Sequence, residues 1–129
     1  MQNLDWFNTL NKPFLAPPDW LFTPVWIVLY IMIAASFFLF LSGGIKKEKH
    51  MPLIFFLAQL ALNFAWSPIF FGMQNILGAF IIIVFLYIFL ILTIITFFKH
   101  SKMASLLLIP YLIWISFAAY LNFGYLVLN

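Results

Sequence analysis

Between Lys49 and Lys99 the chain carries no lysine, arginine, aspartate or glutamate. A single bilayer crossing takes about 20 residues, so a run of this length must cross more than once. It breaks at "GMQNILG" (72–78), where two glycines, Gln74 and Asn75 punctuate it, leaving segments 52–71 and 76–98. Leu21 to Ile45 is likewise free of ionised residues and most apolar from Val25 to Leu41, before "SGGIKKEKH" (42–50) ends it. Ala104 to Leu128 makes a fourth segment, interrupted early by Pro110. In hydrocarbon every backbone polar group needs an internal partner, which leaves helices or closed barrels, and no ten-residue dyad alternation is present. The expected fold is an all-α integral membrane protein, one domain over 1–129, with four transmembrane helices at about 21–42, 52–71, 76–98 and 104–128.

Composition agrees: 67% of residues are hydrophobic and 7% charged, against about a quarter charged in soluble domains. The net charge of +3 sits in two short clusters, "KKEKH" and "KHSK", and forms no basic face for nucleic acid. Both clusters fall on one side of the array. The positive-inside rule makes loops 43–50 and 99–103 cytoplasmic and both termini external, in what is expected to be a bacterial cytoplasmic membrane. The chain has no cysteine, which removes disulfides, thiolate chemistry and Cys-ligated metals. Residues 1–19 contain Asp5, Lys12, Asp19 and three prolines, unlike a secretory signal, and no arginine, unlike a mitochondrial presequence. The proline-rich "KPFLAPPDW" (12–20) reads as a stiff, non-helical strap. Two readings stay open for it: a tail anchored at the interface by Trp20, or a lid over the mouth of the bundle.

Aromatic residues make up 22% of the chain, and several sit at helical spacing with polar partners. The first span places Trp26, Tyr30 and Ala34 on one face, and the second places Gln59, Asn63 and Trp66 at i, i+4 and i+7. Ala61 and Ala65 there form a small-xxx-small pair that permits close packing. The fourth span carries Tyr111, Trp114, Ala118 and Asn122 on a slowly drifting face. The third offers only Tyr87, Thr93 and Thr96, and reads as a lipid-facing wall. The plainer account of a membrane amide is interhelical glue, which fits Gln59 near mid-span. Asn63 with the indoles of Trp26, Trp66 and Trp114 points instead to an aromatic-lined cavity holding a few polar groups.

No span holds Asp, Glu, Lys, Arg or His, so the groups needed for proton relays or voltage sensing are missing from the membrane. His50 and His100 read as solvated loop histidines without a second ligand at metal spacing, and no metal is expected. No carboxylate stands near the His100–Ser101 pair to orient it for nucleophilic work. Ser36, Ser67 and Ser116 most simply bond back to their own helices, and Pro68 should bend the second span. Pro110 frees carbonyls below Tyr111 and Trp114, which opens space there or is a tolerated kink.

The stretches "WFNTLNKP" (6–13), "PPDW" (17–20), "PVWIVLY" (24–30), "QLALNFAWSPIFFG" (59–72) and "PYLIWISFAAYLN" (110–122) occur in order across nearly the whole chain. Together they resemble the tryptophan-rich sensory protein or translocator protein (TspO/MBR) family, whose animal members are called peripheral benzodiazepine receptors. The resemblance implies a compact helical membrane protein, often dimeric, that binds porphyrins, haem-related tetrapyrroles and, in some members, sterols or synthetic aromatic ligands. It implies a pocket lined by Trp26, Tyr30, Asn63, Trp66, Trp114, Phe117 and Ala118, beneath a lid that includes Trp6, Phe7, Pro17 and Pro18. Members are also linked to light-driven tetrapyrrole breakdown involving the positions of Trp26 and Trp114, chemistry that needs no acid or base. No cofactor is implied beyond the tetrapyrrole as ligand. Two departures stand out. The family's usual first helix has no counterpart before Trp6, so a pocket wall would be open, supplied by a second protomer, or absent. Tyr125 is followed by "LVLN", without the Lys or Arg of the sterol-recognition pattern.

The expected function is therefore a membrane sensor, regulator or transporter that binds tetrapyrroles and similar planar hydrophobic ligands. A structural subunit whose polar faces bind partner helices is the alternative. A small multidrug-type exporter ranks below both, because proton-coupled carriers need a membrane-embedded acid.

Overall fold

The computed structural model describes residues 9–10, 19–42, 44 and 47–129. Helix α1 runs Asp19–Leu41, and a 3-10 turn (Lys47–Lys49) leads into α2, His50–Ser67, which a π-helical turn continues over Pro68–Gly72. Helix α3 is Ile76–Phe98, and the last span is built from α4, Lys102–Leu107, and α5, Ile109–Leu128. Thr23–Leu41, His50–Gly72, Ile76–Phe98 and Lys102–Leu128 are each long and apolar enough to cross a bilayer. Large apolar side chains such as Ile31, Phe38, Phe64 and Ile113 stand on the outer surface, which suits lipid rather than water. The chain is thus an all-α membrane protein with four spanning helices among its described residues.

Local chemistry sets the ends. Asn75 caps α3, its Oδ1 accepting from the Gly78 N–H at 2.8 Å, and a Cβ on Gly78 would sit 2.7 Å from the Asn75 amide nitrogen. Gln74, just before the cap, turns the chain with φ +55°. Ser101 caps α4 through Ala104 N–H at 3.2 Å. Lys49 is buried and donates from Nζ to the Phe40 carbonyl at 2.5 Å, while its charge lies 4.9 Å from the Phe40 ring centroid. That ammonium satisfies one of the orphan carbonyls at the C-terminus of α1, where a cation is also favoured by the helix dipole.

The two proline expectations resolve differently. Pro68 has no N–H to give the preceding turn, and the chain widens there, with Met73 N–H bonding the Pro68 carbonyl five residues back at 2.9 Å. More residues per turn means less rotation per residue, so consecutive Phe70 and Phe71 both point inward, each 2% exposed. Pro110 does not kink a continuous helix. The break falls at Leu108, and Pro110 occupies the first turn of α5, where a missing N–H costs nothing.

Helix α3 exposes one apolar face, with Leu77, Ile81, Phe85 and Ile88, as a lipid-facing wall would, but it is also the most widely packed helix on its other face. It packs along both α2 and α5, and it buries Ala79, Ile83, Leu86, Leu90, Thr93 and Phe97 at alternating spacings of four and three. This heptad-like seam is apolar because helices in lipid associate through shape and dispersion, so few polar groups did not mean few neighbours. Helix α1 packs on α4 and, less, on α5, but it makes almost no close backbone approach to α2. Ser36 is also not bonded to its own helix: its Oγ donates across to the Ala104 carbonyl at 2.6 Å, as Ser105 does to Ile94 at 2.8 Å. Ser116 does bond back, to Leu112 at 2.9 Å.

Near the loop that joins α1 to α2, four phenylalanines stack across three helices. Phe37 lies 4.6 Å from Phe56, Phe56 5.7 Å from Phe97, and Phe97 4.0 Å from Phe40, with ring planes within 13° throughout. Since lipid supplies little transfer free energy, the cost of losing a ring is mainly its cavity. Phe97→Ala should therefore lose about 2–3 kcal/mol in an SDS unfolding titration, whereas Phe98→Ala, on the 53% exposed neighbour, should lose less than about 0.5 kcal/mol.

Candidate functional site

The polar residues gather where the helices stand apart. Because α1 and α2 diverge from the phenylalanine stack, a cleft of about 250 Å³ opens between them, lined by Thr23, Trp26, Tyr30, Asn63, Trp66 and Ser67 among others. Trp26 and Tyr30 reach it from one turn of α1, their rings 5.6 Å apart and tilted by 32°. Behind them a void of about 10 Å³, room for roughly one water, lies among Trp26, Asn63, Trp66, Leu86 and Ala118. The interior beyond is filled by the protein's own side chains.

Hydrogen bonds cross this region in place of backbone packing. The Tyr30 hydroxyl donates to Asn63 Oδ1. Asn63 Nδ2 donates to the Tyr111 hydroxyl at 2.7 Å, and that hydroxyl donates to Gln59 Oε1 at 2.9 Å. Three helices are thereby joined by one chain that runs from Tyr30, 37% exposed, to Gln59, 0% exposed. At its buried end Gln59 Nε2 has no partner among the described residues. A second link fixes Trp66, whose Nε1 donates to Asn122 Oδ1 at 2.9 Å while Asn122 Nδ2 donates to the Ile76 carbonyl at 3.1 Å. Such interhelical bonds contribute about 0.6 kcal/mol each on average and at most about 1.7.

Of the residues expected to line a pocket, Trp26, Tyr30, Asn63 and Trp66 face the cleft, and Ala118 faces the void behind it. Trp114 does not form a wall of the cleft. It stands edge-on behind Trp26, with centroids 6.4 Å apart at 89°. Phe117 is further out, 5.7 Å from Trp114 and stacked on Tyr120 at 6.3 Å. The lid residues Trp6, Phe7, Pro17 and Pro18 lie outside the described residues. Tyr111 was missed as a site residue, although its spacing from Trp114 and Ala118 on one helical face was a usable signal. Gln59 does tie α2 to α5, as glue would, but it also terminates the chain that begins in the cleft. Thr23 and Ser67 line the cleft without having been singled out for it.

The cleft carries no charged lining residue. It offers indole and phenol faces for dispersion contact, plus amide and hydroxyl groups that can orient a ligand. Ser67 has no imidazole or carboxylate beside it in the lining to activate its hydroxyl. His50 and His100 are exposed and lie at the opposite end of the spans. Among the described residues no three metal-ligating side chains cluster.

Four apolar helices long enough to span a bilayer, with an aromatic cleft between α1 and α2, define an integral membrane protein. Comparison with known proteins makes the assignment specific. The TspO/MBR family model matches residues 1–128. The chain is 50% identical over 125 residues to the tryptophan-rich protein TspO of Chlorobaculum tepidum, covering 96% of this chain and 79% of the relative. It is 46% identical to the protein of the same name from Archaeoglobus fulgidus, covering 96% and 80%. The human translocator protein is 35% identical over 124 residues, covering 95% and 73%. The chain belongs to the TspO/MBR family.

Asn63 is bonded to both Tyr30 and Tyr111. Asn63→Leu should therefore cost about 1–2 kcal/mol in an SDS unfolding titration, roughly twice the loss from Tyr30→Phe, which breaks one bond. Equal losses would show that the Asn63–Tyr111 bond adds nothing beyond the Tyr30–Asn63 bond.

Proposed function

We propose that this protein binds tetrapyrroles, of the porphyrin or haem-related kind, and similar planar hydrophobic molecules in the cleft between α1 and α2, and acts as a membrane sensor, regulator or transporter of them. The observation that carries this reading is the lining itself, flat uncharged rings with one amide and a few hydroxyls in a membrane cleft that no helix fills. Sites that enclose a drug-sized ligand usually measure about 300–1,000 Å³. A cleft of about 250 Å³ takes the edge of a macrocycle, pressed against Trp26 and Trp66, and leaves the remainder outside it. Relatives named tryptophan-rich sensory protein and translocator protein support a sensing or transporting role in the membrane. With no general acid or base in the described lining, these residues suit retention of a ligand better than its hydrolysis.

The test is a titration of the purified protein in nanodiscs with protoporphyrin IX, followed by tryptophan quenching and the porphyrin absorption band. A ring contact contributes about 0.5–1.5 kcal/mol and Trp26 alone of the pair lines the cleft, so the Trp26→Ala, Trp114→Ala double variant should bind at least roughly 2- to 13-fold more weakly. The double variant removes both a wall of the cleft and the ring that supports it. Unchanged affinity would rule out this cleft as the porphyrin site.

A further inference from the structure

The hydrogen-bond chain behind the cleft can run in two directions. As described, Tyr30 donates inward, its hydroxyl proton is committed to Asn63, and its oxygen lone pairs remain for the cleft. Turning the amides of Asn63 and Gln59 end for end and rotating both hydroxyls keeps every heavy atom in place and reverses all three bonds. Gln59 Nε2 then donates to Tyr111, Tyr111 to Asn63 Oδ1, and Asn63 Nδ2 to Tyr30, whose proton is freed toward the cleft. One polarity strands the buried Nε2 of Gln59, and the other strands its Oε1. A buried carbonyl oxygen without a partner is tolerated somewhat better than a buried N–H, so the reversed chain is well within reach of the described one.

We propose that Tyr30 presents either a hydrogen-bond acceptor or a donor to the bound molecule, and that Gln59, which lies behind Asn63 and Tyr111, is the positioning residue that permits both. The proposal rests on the cleft being the binding site and adds what that site can recognise: planar ligands carrying an N–H donor and planar ligands carrying a carbonyl acceptor, served by one tyrosine. Because both amides and both hydroxyls must turn together, the choice is collective. Replacing Gln59 by methionine removes the only partner that can accept from Tyr111 on its inner side. Tyr111 must then donate to Asn63, Asn63 to Tyr30, and Tyr30 is locked as a donor.

Three tricyclic probes separate the outcomes: carbazole, with an N–H donor; 9-fluorenone, with a carbonyl acceptor; and fluorene, with neither. Affinities are measured by calorimetry in nanodiscs, with empty nanodiscs as the reference. The wild type should bind carbazole and fluorenone each several-fold more tightly than fluorene, and Tyr30→Phe should bring both ratios to one. Gln59→Met should shift the preference about tenfold toward fluorenone over carbazole, equivalent to about 1.4 kcal/mol. Gln59→Glu, protonated at this depth and able both to donate and to accept, should restore the wild-type preference and control for a packing defect. If fluorene binds but Tyr30→Phe leaves the ratios above one, or Gln59→Met leaves the preference unchanged, the two-way chain is wrong while the cleft stands. If none of the three binds the wild type, the cleft reading fails and takes this proposal with it.

Discussion

A polar side chain within hydrocarbon has no water to turn to, and this bundle is organised around that constraint. Tyr30, Asn63, Tyr111 and Gln59 satisfy one another across three helices, and Trp66 and Asn122 do the same a turn away. These bonds stand where α2 makes no close backbone contact with α1 or α5, so side chains alone set the separation there. Each bond is individually weak by the measure of membrane proteins. Their contribution is geometric: they fix which rings face the cleft and hold Trp66 in one orientation.

The apolar half of the structure follows different rules. Helix α3 turns an aliphatic seam to its neighbours and leaves its other face exposed, and its partners are chosen by fit. The π-helical turn after Pro68 gathers Phe70 and Phe71 into a second cluster with Ala79, Leu121 and Tyr125, which closes the end of the bundle nearest the cleft. At the opposite end the stacked phenylalanines and the buried ammonium of Lys49 hold α1 to its neighbours. The site thus lies between two rigid ends.

The spans and the turn at 72–78 were legible because lipid forces long uncharged runs, and Asn75 and Gly78 mark the turn in any solvent. Helical spacing put Trp26 and Tyr30 on one face of α1 and Asn63 and Trp66 on one face of α2, and the family resemblance implied that the two faces share a pocket. What spacing could not show is which helix lies between which. The few polar groups of α3 suggested a lipid-facing wall, and one face is exposed, yet in a bilayer a helix needs no polar residue to pack against several neighbours. Ser36 looked like a self-bonded hydroxyl, because its partner, the Ala104 carbonyl, is 68 residues away in sequence. Trp114 shares a face with Tyr111 and Ala118, but the drift of that face carries its ring behind Trp26 rather than into the opening.

The near absence of backbone contact between α1 and α2 has a mechanical consequence. Joined at Leu41–His50 and pinned by the Phe37–Phe56 pair, the two helices bound the cleft from Thr23 to Ser67, with α2 anchored beyond Ser67 by the buried Phe70 and Phe71. The Tyr30–Asn63 bond and the Tyr30–Phe64 ring contact bridge the opening, while Trp26 packs behind it on Tyr111 and Trp114. The width of the opening is therefore set by side-chain rotamers rather than by close approach of the two main chains.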